Sequence, residues 1–186
     1  MPISRETALQ VVSDFDPAED GLAAKSQDLV SLLLSHTAQP LSANQFSPGH
    51  ITCTALVLHP REPRVLVIHH HRLLRWLLPG GHVEESDASL DAAAAREAIE
   101  ETRVQLDSKH APFLAGIDVH GIPGGKAKPF HLHHDLIWCF RAISDDFEIT
   151  AEAPQVMWAS ESDWAHLDLT PSIRNSIRRA TIIASG

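Results

Sequence analysis

Cysteine is scarce in this chain of 186 residues, with Cys53 and Cys139 the two present. Each lies in an apolar run that reads as a strand, so both are expected as buried free thiols, and a disulfide-stapled secreted scaffold is excluded. Long apolar spans are missing as well. The opening Met1-Pro2-Ile3-Ser4-Arg5-Glu6 lacks the basic-then-apolar layout of a secretory signal, so no membrane partner and a cytoplasmic location are expected. Basic side chains are outnumbered, 15 Lys and Arg against 24 Asp and Glu, for a formal charge of −9. Capture of a nucleic-acid backbone needs a basic surface, so no nucleic-acid partner is expected. An acidic protein that handles phosphates has to rely on local Arg, Lys, His and metal charges. The remainder, 44% hydrophobic and 21% charged, describes a soluble chain with one sizeable core, too short for two ordinary domains.

The chain is organised around Leu78-Pro79-Gly80-Gly81-His82-Val83-Glu84-Glu85-Ser86-Asp87 and the segment Ala88 to Val104 that follows. It reads as a strand entering a glycine turn, an acidic loop, and a helix from about Ser89 to Thr102. On that helix Glu97, Glu100 and Glu101 fall within an arc of about 100°, on the side that also carries Leu90, Ala93 and Ala94. Carboxylates pressed together raise one another's pKa, and a bound divalent cation is the cheapest way to keep them ionised. Ligands made of oxygen alone suit Mg²⁺ or Mn²⁺ rather than zinc. A lone Glu-x-x-Glu-Glu is more often a solvated helix end. The Pro-Gly-Gly turn, Asp87 and the Arg96-Glu97 pair favour the metal site.

These residues resemble the Nudix box of the Nudix hydrolases: Gly, five residues, an acidic residue, seven residues, Arg-Glu, an aliphatic, any residue, Glu-Glu, any residue, Gly and an aliphatic. Gly81 and Asp87 meet the first spacing, and Arg96, Glu97, Ala98, Glu100 and Glu101 the second. Eight residues separate Asp87 from Arg96 instead of seven, Asp replaces Glu, and Arg103 stands where the late glycine is usual. The resemblance implies an α/β fold, a Nudix-like α/β/α sandwich with a mixed sheet. Residues 46–186 would form the Nudix hydrolase domain, with residues 1–45 a helical extension packed on it. It also implies a hydrolase that cleaves the pyrophosphate linkage of a nucleoside diphosphate joined to another group, using Mg²⁺ or Mn²⁺ and acting on a small nucleotide-type substrate. Glu97, Glu100 and Glu101 would be metal ligands, with the carbonyl of Gly80 or Gly81 completing the shell. Glu97 would also help to deprotonate water. Arg96 would orient Glu97 and the loop, and Asp87 would fix the loop.

The other segments supply candidates of lower specificity. Thr7 to Ser13 and Leu22 to Leu34 read as helices, and Ile51 to Leu58 with Arg64 to Ile68 as a hairpin. The run His69-His70-His71-Arg72 and Arg75 after it read either as a solvated strand end or as the place from which one of the histidines, Arg72 or Arg75 reaches a substrate phosphate. Phe113 to His120 reads as a strand, and the loop Gly121 to Pro129 carries Lys126 and Lys128, which could close over a phosphorylated substrate. Alternation puts His131, His133 and Asp135 on one strand face, as pocket lining, as plain structure, or as a zinc row. A similar His-rich strand after the box, with a helical N-terminal extension, occurs in a subset of Nudix proteins. Gln155 to Ala159 is a further strand, Ser160 to Trp164 a short capped helix, and Pro171 to Ala184 a last helix. The resemblance also implies a further carboxylate from a downstream loop, Glu148 or Glu152.

Other readings belong to different classes. One is a catalytically silent Nudix-fold sensor that binds a nucleotide, motivated by Arg103 and the lengthened loop. Another is a transition-metal protein, motivated by 13 histidines. A Nudix-fold isomerase needs a reactive thiolate, and neither cysteine has the setting for one. A homodimer is the commonest soluble assembly, and the sequence carries nothing more specific on that point.

Overall fold

A computed structural model of the chain describes residues 3–71, 73–125 and 128–185. Its middle is strand β1, Gly49–Leu58, an apolar run buried along almost its whole length. Such a run needs cover on both faces, and it receives it. Along one edge β1 runs parallel to β6, His131–Arg141, in register from Gly49↔Leu132 to Leu58↔Arg141. Strand β5, Phe113–Ile122, lies antiparallel on the far side of β6. The other edge of β1 is shared. Strand β2, Val65–His70, registers with it at Leu58↔Val65 and then pairs with β3, Arg75–Leu77, and with β7, Val156–Ala159. Strand β4, Gly80–His82, takes the rest of that edge through Thr52↔His82, Cys53↔Gly81 and Thr54↔Gly80.

The hairpin expected of Ile51 to Leu58 and Arg64 to Ile68 closes only at its base, and Gly80-Gly81, expected as a turn, is part of a short strand.

Helices cover both faces of this mixed sheet. On one side lie α1 (Arg5–Ser13), α2 (Gly21–His36) and α3 (Leu90–Thr102), which bury Val12, Val30, Leu34, Ala93, Ala94 and Ala98 against Ile51, Cys53, Leu66 and Leu136. On the other side α4, Pro171–Ser185, buries Ile177 and Ala180 against Leu56, Val67, Ala115 and Ile137. Alternation along the strands divides the two cores, and the result is an α/β/α sandwich. The helix starts follow from local chemistry: the side chains of Ser4, Asp20 and Ser89 accept hydrogen bonds from first-turn amides, and Pro171 occupies the first position of α4. The short helix expected at Ser160 to Trp164 is a 3-10 turn over Glu161–Asp163.

Candidate active site

Helix α3 and strand β4 bring the box together. Ala93 and Ala94 are fully buried, and their small side chains let α3 lie close to β1. Other atoms crowd both glycines of β4, backbone at Gly80 and the Glu97 carboxyl at Gly81. A Cβ on Gly80 would stand 2.6 Å from Thr54 Oγ1 and 2.8 Å from the Cys53 carbonyl oxygen, and one on Gly81 would stand 2.5 Å from Glu97 Oε1. Neither glycine has a positive φ, so close approach accounts for them and backbone freedom does not.

Arg96 is the hub of the loop. Its Nε and Nη2 donate to the two oxygens of Asp87 at 2.9 and 3.1 Å, and Nη2 also donates to the His82 carbonyl at 2.8 Å. Nη1 donates to Glu97 Oε1 at 2.9 Å and to Glu100 Oε2 at 3.2 Å. Hydrogen bonding to Asp87 holds the guanidinium still more firmly protonated. For Asp87, burial raises the pKa, but Arg96 and the Glu84 amide outweigh it and the carboxyl lies below its usual value. Ser89 caps the helix between Asp87 and Arg96, and across the eight intervening residues Arg96 still makes the two-pronged contact with Asp87.

The three glutamates differ in setting. Glu101 is 4% exposed, and its Oε2 accepts the Gly80 amide at 3.0 Å. Burial first, then repulsion from Glu97, Glu152 and Glu100, pushes its pKa up to about 8 in spite of that hydrogen bond. Burial likewise raises Glu97. Glu100 stands at the rim, with its side chain half-exposed. Of the two downstream candidates, Glu152 acts electrostatically on both Glu97 and Glu101. Glu148 contributes a backbone amide that donates to the Thr102 carbonyl, closing the end of α3. The arrangement gathers hard oxygen donors around two glycines, with burial resisting ionisation, and a hard divalent cation would relieve that strain.

Next to Gly80 and Gly81 a cavity of about 170 Å³ opens on the α4 side of the sheet, lined by Thr52, Thr54, Arg75, Asp118, His120, His133 and Asp135 among others. A larger one, about 600 Å³, lies between Leu58, Arg64, Arg141 and the C-terminal half of α4, away from Gly80 and Gly81; no box glutamate lines either cavity. Chemistry selects the smaller cavity. Asp135 is buried there and accepts from Thr52 Oγ1 at 2.9 Å and from Thr54 Oγ1 at 2.7 Å. Burial raises its pKa overall. Neither threonine stands out in the sequence, although alternation along β1 puts both on one face. His133 shares this face, and burial with neighbouring imidazoles pushes its pKa down to about 2. His131 is buried beside Phe46 and His50, and it does not line the cavity. Arg72 and Lys126 lie outside the described residues. Both cysteines are buried and free, and burial pushes Cys139 up to about 12 and Cys53 well above its usual value, the reverse of a reactive thiolate.

Residues 49–180 match the model of the NUDIX domain. No curated protein matches the chain by sequence. Among solved structures, the MutT protein of Methanosarcina mazei Go1 is similar at 21% identity and a TM-score of 0.55, over 73% of this chain and 95% of that one. The NUDIX domain of Shewanella oneidensis NrtR, complexed with ADP ribose, is similar at 20% identity and a TM-score of 0.53, over 72% and 87%. A C. elegans Ap4A hydrolase gives 14% identity and 0.51, over 73% and 98%. These likenesses carry the fold, while the match across residues 49–180 takes in every element from β1 into α4 and the box within them. The chain belongs to the Nudix hydrolase family.

Proposed function

We propose that this Nudix hydrolase cleaves the pyrophosphate linkage of a nucleoside diphosphate joined to another group, with Mg²⁺ or Mn²⁺ held by Glu97, Glu100 and Glu101. The carbonyl of Gly80 or Gly81 completes the shell, and Glu152 is the further carboxylate. The observation that carries this reading is Glu101, buried beside Gly80 with its pKa pushed up to about 8. When bound, the cations would neutralise phosphate charge and acidify a water. The chain's own residues do the rest. Arg96 ties Asp87, the His82 carbonyl and Glu97 together, so that the free oxygen of Glu97 has a fixed direction. Glu97, raised by burial, takes a proton from the attacking water in this scheme. Arg75 and His120 line the cavity on the substrate side, where a phosphate needs positive partners. Next to Asp118, His120 has its pKa raised in spite of burial.

The test is a panel of diphosphate compounds in Mg²⁺ buffer that includes ADP-ribose and a diadenosine polyphosphate, with phosphate-containing products measured. Glu100→Gln and Glu101→Gln should each lower turnover at least ~10²-fold, the scale of losing a key electrostatic contact. Near-normal hydrolysis by both variants would overturn the assignment. Binding of a panel compound with no product formed would favour the silent sensor instead.

A further inference from the structure

Away from the carboxylates, three histidines from neighbouring strands converge. His50 and His133 are direct partners in the parallel ladder of β1 and β6, and His82 comes from β4, which pairs with β1 at Thr52. Ring centroids lie 5.0 Å apart for His50 and His133, 5.1 Å for His50 and His82, and 5.6 Å for His82 and His133. One ring nitrogen from each falls within 4.8 Å of the others. His50 is fully buried, and its Nδ1 lies 2.9 Å from the Gln45 carbonyl oxygen, which fixes Nδ1 as the protonated nitrogen. Its Nε2 is then a lone pair, buried, with no hydrogen-bond partner. A buried acceptor left unsatisfied is costly and calls for an explanation. An imidazole with one nitrogen tied to a backbone carbonyl and the other bare is the arrangement of a metal ligand with its outer support in place.

We propose that His50, His82 and His133 form a second metal site, distinct from the α3 carboxylates, that takes a borderline transition cation of the Zn²⁺ type. Three imidazoles leave a fourth position for water, and nitrogen donors reject Mg²⁺ while suiting Zn²⁺ or Co²⁺. Bonds of 2.0–2.1 Å in tetrahedral geometry set the nitrogens roughly 3.3 Å apart, so from separations within 4.8 Å no pair has to close by more than about 1.5 Å through rotation of the rings. His131 supports the trio from outside. Its Nδ1 lies 2.9 Å from the Pro129 carbonyl oxygen, and its ring stacks on His50 at 5.1 Å. The cation would bridge β4, β1 and β6 just beyond Gly80 and Gly81, and it would act on the box only through the backbone of His82, whose carbonyl Arg96 holds.

The test uses the full chain, untagged and stripped with a chelator, then loaded with Co²⁺ or Zn²⁺ in excess Mg²⁺ and desalted. The wild type should keep one equivalent by elemental analysis, and the Co²⁺ form should show the intense visible bands of a four-coordinate nitrogen-rich site. His82→Gln and His133→Gln should each bind at least tenfold more weakly, whereas Glu97→Gln/Glu101→Gln and the exposed-site control His36→Gln should keep the metal. The proposal is overturned if the folded wild type retains none, if its Co²⁺ spectrum is the weak six-coordinate one that Mg²⁺ abolishes, or if retention follows the glutamates and not the histidines. The wild-type spectrum decides the matter even if a histidine variant fails to fold. Because the readout is metal content, failure here leaves the hydrolytic reading untouched, and the converse holds.

Discussion

A carboxyl as buried as that of Glu101 titrates far from its solution value, and the direction has a consequence for stability. Its pKa is raised from 4.5 in the unfolded chain to about 8 in the fold. Between those values the folded protein holds a proton that the unfolded chain has released. The stabilising contribution is therefore complete below 4.5 and is lost as pH rises through about 8. Chelator-treated protein should lose thermal stability between about pH 5 and about pH 8, and Glu101→Gln should flatten that slope. With Glu101 as a metal ligand, as proposed, added Mg²⁺ should displace the proton and raise Tm more at the alkaline end than at the acid end. Thermal denaturation across pH, with and without Mg²⁺, measures both. An unchanged slope in Glu101→Gln would show that another group sets the pH dependence.

One scale up, the end of α3 shows what the departure from the usual box costs. Arg103 occupies the left-handed region at φ 55° and ψ 15°, with its amide bonded to the Ile99 carbonyl, the geometry that glycine adopts without a Cβ penalty. That penalty is about 1–2 kcal/mol, partly offset by the greater chain entropy that a glycine gives up on folding. Arg103→Gly should thus stabilise by roughly 0.5–1 kcal/mol, or about 1–4 °C in Tm, and leave turnover unchanged. A drop in Tm would mean that the arginine side chain makes a contact worth more than its strain. The helix itself is legible in the sequence, since Ser89 as cap, the alanine run and the Glu spacing each follow local rules. Strand β4 is not, because Gly80-Gly81-His82 has neither alternation nor β-propensity and becomes a strand only through the edge that β2 vacates. For the same reason His131 and His133 can be picked out as a row, but their meeting with His50 and His82 cannot. That meeting depends on the parallel register of β1 with β6, strands separated by more than seventy residues, and no local pattern encodes it.

Over the whole molecule, the family match begins at residue 49, yet the core does not. From α1 and α2, Ala8, Val12, Ala23, Val30, Leu33 and Leu34 belong to the same buried cluster as Ile51, Ile117 and Leu136 of the sheet. Polar ties reinforce the join. Arg179 of α4 donates to the Ala115 carbonyl at 3.1 Å and to the Pro17 carbonyl at 2.7 Å, and its Nη2 lies 3.6 Å from Asp20 Oδ2. The Ile51 amide donates to the Pro40 carbonyl at 2.7 Å. We propose, accordingly, that the first 45 residues are a packed layer on which residues 46–186 depend. Leu34→Ala should cost roughly 2–5 kcal/mol, as large-to-small changes at fully buried sites do. Removing residues 1–45 leaves α3 on that face but uncovers the apolar side chains that α1 and α2 bury, among them Ile117 of β5, and a contiguous apolar patch is one that soluble monomers avoid. The shortened chain should aggregate, or bind a hydrophobic dye with its near-ultraviolet dichroism lost. A monodisperse 46–186 fragment with the Tm of the full chain would show instead that the helices only rest on a self-sufficient domain. In that case the buried area of α2 would contribute little to folding, and Leu34→Ala should be nearly silent as well.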